Sequence, residues 1–177
     1  VTNGDGERIE RHTLAVLVVN EPGVLARVIG LFSGRGYNIE SLTVAEVERA
    51  DVQRNVGLSR ITLVTSGTRM IIDQIKAQLA RLVPIHRVCD LTEEGPFVGR
   101  ELALVKVVGA DGKRAEVLRI AEGAGARIID SSESSFVFEV TETSEKVDQF
   151  LGLMAGLGKL EVARTGIVAL SRGPQSI

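Results

Sequence analysis

The stretch NEPGVLARVIGLFSGRGYNIESL, Asn20 to Leu42, decides how the chain is read. Pro22 and Gly23 make a turn, and proline is suited to a helix start because its missing N–H would have no partner there. Leu25, Val28, Ile29 and Phe32 then recur at helical spacing and give one apolar face. Gly34 and Gly36 stop the helix, since glycine accepts the left-handed conformation of a helix cap. Before the helix, HTLAVLVV (His12 to Val19) is a short, mostly apolar run that reads as a buried strand. After it, Asn38 to Val47 reads as a second strand.

Working outward, Glu48 to Gly57 is a polar loop and Ser59 to Thr65 a third strand. Met70, Ile71, Ile75, Leu79 and Leu82 mark a second helix, and Pro84 to Leu91 a fourth strand. The order strand, helix, strand, strand, helix, strand then recurs. Its second set is Glu101 to Val108, Arg114 to Gly123, Ala126 to Ser131, Ser135 to Val140, Ser144 to Gly156 and Leu160 to Leu170, with a turn at Asp111-Gly112. Each set is the split βαβ, ferredoxin-like unit. The expected organisation is α+β: a flexible tail over 1–11, a first domain over 12–92, a linker over 93–99 with Pro/Gly signals, a second domain over 100–172, and a tail over 173–177. Domains of about 80 residues have modest cores. A four-stranded sheet with helices on one face leaves open edges and a bare face, so self-association is expected. Gly30 and Gly34, four apart, would let the first helix approach a neighbour closely.

Composition narrows the function. Of 177 residues, 44% are hydrophobic and only 3% aromatic, so the core must be built of Val, Leu, Ile and Ala. A net charge of -2 provides no general basic field for nucleic acid. No apolar run is long enough to cross a bilayer, and the polar start lacks a signal-peptide core. The single Cys89 excludes an intrachain disulfide and fits a reducing compartment, so a cytoplasmic location is expected. His12 and His86 share no short motif with each other or with Cys89, and metal sites need three or four ligands. No metal ligands are identified, and GAGARI (Gly123 to Ile128) lacks the third glycine of a dinucleotide loop and follows a helix rather than a strand, which leaves binding of a nucleotide or metal by the second domain open.

The flanks of the first helix hold the candidate site. A helix start offers unpaired N–H groups and partial positive charge, which suit a carboxylate. Gly23, lacking a side chain, lets a ligand come close. Asparagine amides can accept from an ammonium group and donate to a carboxylate. Asn20 closes the first strand and Asn38 opens the second, and the two are expected as neighbours at one end of the sheet. Such a set fits a zwitterion with a small aliphatic side chain lying among Val24, Leu25 and Ile39. The alternative is that both asparagines are only turn and cap residues.

These residues carry a resemblance. NEPGVLARVIGLFSGRGYNIESLTV resembles the opening of the small, regulatory subunits of acetolactate synthase, whose ACT domain has the pattern N-E-x-G-x-L-x-R-V-x-G-L-F-x-x-R-G-Y-N-I-x-S-L-x-V. Similarity extends through LSRITLV (Leu58 to Val64), RELALVKV (Arg100 to Val107) and VARTGIVALSRG (Val162 to Gly173). The resemblance implies two tandem domains, the first an ACT domain, in a subunit that does no chemistry and needs no cofactor. It implies a large catalytic partner using thiamine diphosphate, magnesium and FAD in branched-chain amino-acid synthesis, which this subunit activates and subjects to feedback inhibition by valine, or by leucine or isoleucine. It implies a homodimer through the ACT domains with effector sites where they meet. Asn20, Gly23 and Asn38 match the effector contacts, with Val24, Leu25 and Ile39 as walls and Thr43 and Ala45 completing the pocket. Rival expectations are an amino-acid-sensing regulator of another enzyme or of transcription, for which no basic helix pair is present, and an autonomous enzyme, for which His and Cys are scarce.

Overall fold

The computed structural model describes residues 8–48, 57–110, 112–174 and 176–177. The expected tail over 1–11 falls largely outside these residues, as do most of the polar loop and Asp111 of the turn. The elements are β1 (Glu10–Val19), α1 (Val24–Ser33), β2 (Ser41–Glu48), β3 (Leu58–Gly67), α2 (Arg69–Leu79), β4 (Ile85–Asp90), β5 (Phe97–Val108), α3 (Arg114–Gly123), β6 (Arg127–Ser131), β7 (Ser135–Glu142), α4 (Ser144–Ala155), β8 (Lys159–Arg164) and β9 (Val168–Ser171).

Two compact units result, Val1–Val98 with Val168–Ile177 and Gly99–Ile167. In the first, the sheet order is β2-β3-β1-β4, with all three contacts antiparallel. β1 and β2 both run against β3, so they are parallel to each other and need the crossover helix α1 to join them. Alternation along the strands sends Leu14, Val16, Val18, Ile61 and Leu63 to one face. There they meet Val24, Val28 and Phe32 of α1 and Ile72, Ile75 and Leu79 of α2. Leu25 packs only partly against this core and Ile29 is 37% exposed, so the buried stripe of α1 starts one residue earlier than the pattern suggested. Gly34 keeps ordinary helical dihedrals at the helix end, and the left-handed turn falls on Gly36, at φ 70°.

The second unit repeats the arrangement as β6-β7-β5-β8. Ala103, Val105 and Val107 pack with Phe136 and Phe138 beneath Val117 and Ala121 of α3 and Val147, Phe150 and Met154 of α4. Phe138 stacks on Phe136 and meets Phe150 edge-on, centroids 5.6 and 6.2 Å apart. Glu101, buried on β5, is paired with Arg164 of β8.

Two expectations change. The stretch read as one closing strand, Leu160 to Leu170, is two strands, β8 and β9, with Gly166 at φ 86° between them. β9 pairs with β5, and the Arg172 N–H reaches the Pro96 carbonyl, so residues 168–177 group with the first unit and not with 100–172. Residues 93–99 likewise do not form a free linker: a turn over Glu93 and Glu94, whose N–H groups return to the Asp90 carbonyl, is followed by β5 from Phe97. The second change follows from the first. The face of the first sheet opposite its helices is not bare, because Arg60 donates to the Ala169 carbonyl at 2.9 Å and Arg87 to that of Ser176 at 3.0 Å.

Candidate functional site

The start of α1 is built to stay open. Gly23 is its N-cap with φ 85°, a left-handed conformation that glycine adopts without cost. No side chain caps the helix, and no acidic residue stands in its first turn. The Glu21 carboxylate is held by Arg27 at 3.0 Å instead. A Cβ added at Gly23 would meet nothing within 4 Å. The Val24 N–H turns back to the Glu21 carbonyl at 3.4 Å, and the positive end of the helix dipole lies beside an exposed glycine with open space around it, a setting that suits a carboxylate.

Asn20 lies beside this opening. Its N–H donates to the Gly57 carbonyl at 2.7 Å, which places it at the start of β3. Its side chain is exposed and has no partner among the described residues. Asn38 is exposed too, and its carbonyl accepts from the Thr65 hydroxyl at 2.6 Å, near the other end of β3. The eight-residue step from Gly57 to Thr65, at about 3.3 Å per residue, separates the two asparagines by roughly 25 Å along the sheet. The expectation that they are neighbours at one end is thus overturned within a single chain. Parallel strands joined by a helix end and begin at opposite edges, and Asn20 ends one while Asn38 precedes the other.

The remaining candidates divide between these two places. Val24 is 5% exposed and belongs to the core of the first unit, so it backs the helix start from inside. Leu25 and Ile39 are half-buried against the same core. Thr43 and Ala45 sit opposite Thr62 and Arg60 on β2, the edge strand of the sheet, and face away from the helices. Near Asn38, Glu40 takes a hydrogen bond from Ser66, which with Arg11 at 2.8 Å lowers its carboxyl pKa.

A second group was not foreseen. His12 Nδ1 and Asp90 Oδ2 lie 2.8 Å apart, both residues buried, and Glu93 completes a set whose ligand atoms fall within 4.8 Å of one another. The Lys76 ammonium already occupies this neighbourhood, paired with Asp73 at 2.9 Å and with Glu93, and 3.9 Å from Asp90. The arrangement is an ion-pair network tying α2 to β1 and β4. Seventy-eight residues separate His12 from Asp90, so no local motif could announce the pair. Asp90 also accepts from the N–H groups of Thr92 and Glu93, which shapes the turn after β4.

The first unit is thus a βαββαβ fold whose first helix begins at an uncapped, unobstructed glycine. Comparisons with known proteins give its family. Residues 14–87 match the AHAS small subunit-like ACT domain, and residues 100–173 match the small subunit of acetolactate synthase. The chain is 47% identical over 163 residues to a probable acetolactate synthase small subunit of Archaeoglobus fulgidus, covering 92% of this chain and 98% of that one. It is 45% identical over 164 residues to the acetolactate synthase isozyme 3 small subunit of Escherichia coli, covering 92% and 96%. The crystal structure of the acetolactate synthase small subunit of Thermotoga maritima superposes with a TM-score of 0.79 at 35% identity, covering 94% of this chain and 99% of that one. The chain belongs to the acetolactate synthase small-subunit family. No helix among the described residues is long and apolar enough to cross a membrane.

Proposed function

We propose that the chain is a non-catalytic regulatory subunit that binds and activates the large subunit of acetolactate synthase and makes it sensitive to feedback inhibition by valine. The chemistry of the thiamine diphosphate, magnesium and FAD belongs in this reading to the large subunit. The protein acts in the cytoplasm, beside the rest of branched-chain amino-acid synthesis.

One observation supports the effector reading: the open start of α1 with Asn20 and the second amide, Asn38, stand at opposite ends of one sheet. In this reading they are the two halves of a zwitterion site, the helix start being the carboxylate half. β2 is the terminal strand of the sheet order, and edge strands are the usual place for a second chain to add to a sheet. Antiparallel pairing of two β2 edges about a two-fold axis reverses one copy against the other. The Asn20 end of each copy then stands over the Asn38 end of its partner, and two equivalent sites close. Such an interface is isologous, as expected for a symmetric dimer. Thr43 and Ala45, on that edge strand, lie next to the seam. A branched-chain amino acid bound there joins two copies, and its aliphatic chain lies against Leu25 and Ile39.

The test uses mixed dimers. Asn20→Ala and Asn38→Ala chains are prepared separately, each expected to bind valine weakly. In a mixed dimer, the two-copy arrangement puts both defects in one site and leaves the other intact. Half of the wild-type valine stoichiometry should return in the isolated mixed dimer, and about a quarter in an unseparated one-to-one mixture, read by calorimetry. If each site lay within one chain, both would remain defective, and no recovery on mixing would refute the arrangement.

A further inference from the structure

We infer that the second unit has a ligand site of its own, a cleft between α3 and α4 that takes a small organic carboxylate with an apolar body. The cleft has a volume of about 560 Å³, within the range of sites for small organic molecules. Ile120, Val140, Phe150 and Leu153 supply apolar surface. Phe150 is 1% exposed and anchors the floor in the core. Leu153, by contrast, is 58% exposed although it is a large apolar residue on the same helix, so a wall of the cleft is left in water.

The polar lining is asymmetric in charge. Lys146 is paired with Glu142 at 3.0 Å, and Arg100 approaches the same carboxylate at 4.0 Å. The Lys146 ammonium and the Thr143 N–H lower the Glu142 pKa, so this carboxylate stays ionised and its charge is answered from within the protein. Arg119 is different: among the described residues it has neither an ion-pair nor a hydrogen-bond partner. A guanidinium is charged at any physiological pH and offers a planar fork of donors that matches a carboxylate. An unanswered Arg beside a wet apolar cleft selects an amphiphilic anion. A neutral apolar ligand would leave the Arg119 charge unanswered, and an amine would be repelled by it.

Space for the ligand comes from glycine. Gly123, the last residue of α3, lines the cleft, and a Cβ built there meets nothing within 4 Å. Its dihedrals are outside the left-handed region, so a side chain can be placed there without backbone strain. The position can therefore be filled as a direct test of the cavity.

The probes are naphthalene-2-carboxylate, 2-naphthalenemethanol and 2-naphthylmethylammonium, titrated into the full chain with methyl-labelled Ile and Leu and followed by NMR. The expected result is a shift of the Ile120 and Leu153 methyls and about fivefold tighter binding of the carboxylate than of the alcohol, the scale of one solvent-exposed ion pair. Arg119→Gln, at an exposed position, should reduce that preference to about twofold or less. Gly123→Leu should weaken the carboxylate and the alcohol alike by about tenfold, by occupying the cleft. Equal affinity for the three probes, shifts confined to other residues, or an unchanged preference in Arg119→Gln would overturn the assignment. An apolar surface for protein contact would give the first of these results.

Discussion

Consider a single negative charge placed at the start of α1. Gly23→Asp puts a carboxylate where the effector carboxylate is proposed to bind. Because Gly23 sits at φ 85°, any side chain there is strained, and the cost of the left-handed conformation is about 1–2 kcal/mol. Charge must therefore be separated from strain, and Gly23→Asn does this, since Asn and Asp have nearly the same shape and both tolerate left-handed dihedrals. A Cβ at this position meets nothing within 4 Å, so neither variant clashes in the free chain. Two unit charges 4 Å apart repel by about 1 kcal/mol in water and about 4 kcal/mol at an effective dielectric near 20. Gly23 is exposed, so a value between these limits, about 2 kcal/mol, applies to Asp relative to Asn, or some thirtyfold in affinity. The assay is a valine dose–response on enzyme reconstituted with the catalytic subunit, with circular dichroism confirming that both variants fold. Activation of the catalytic subunit should persist in both. If folded Gly23→Asp and Gly23→Asn are inhibited at the same valine concentration, the effector carboxylate does not sit at this helix start.

Other perturbations address the rest of the molecule. The purified chain alone, given thiamine diphosphate, magnesium and FAD, should form no acetolactate from pyruvate, and adding it to its catalytic subunit should raise the rate; turnover by the chain alone would defeat the regulatory reading. Asp90→Ala removes the partner of buried His12, a neighbour of Lys76 and the acceptor for Thr92 and Glu93 N–H groups, and should cost about 3–5 kcal/mol in urea unfolding, with Asp90→Asn milder. Phe150→Ala empties the centre of the second core and should destabilise that unit by about 3–5 kcal/mol, read as an earlier unfolding step. Burial first, and then the hydrogen bond to Glu94, push the Cys89 thiol up to about 11 from an ordinary value of 9.0. Its folded pKa is raised, so the neutral thiol's contribution is complete below about pH 9 and is lost as pH rises towards 11. Cys89→Ala should flatten that alkaline loss of stability, and the native thiol should react slowly with a disulfide reagent at pH 8, where it remains protonated.

How far the molecule was legible varies from place to place. The apolar run HTLAVLVV and helical spacing from Leu25 to Phe32 expose a buried strand and a crossover helix, because those patterns report how much of an element avoids water. Repetition of the same order after residue 100 gives the second ferredoxin-like unit. Gly23, preceded by proline and followed by an apolar helix, marks the open helix start from local sequence alone, and Asn20 stands next to it in the chain. The exposure of Ile29 and the burial of Val24 were less legible, since a 3.6-residue period tolerates a shift of one position that only the facing sheet decides.

What the chain encodes locally, then, is the set of elements, their faces, the unobstructed helix start and, through the length of its match, its family. Tertiary structure alone decided three further matters. Strand direction placed Asn20 and Asn38 at opposite ends of β3, because parallel neighbours joined by a helix cannot begin and end at the same edge. Gly166 broke the last strand in two, and pairing of β9 with β5 returned the C-terminal residues to the first unit, a hydrogen-bonding choice between distant segments that no local pattern records. His12, Lys76 and the Asp90–Glu93 turn came together from three places in the chain. Side-chain periodicity reports an element's relation to solvent, whereas juxtaposition depends on the direction and order in which elements pack.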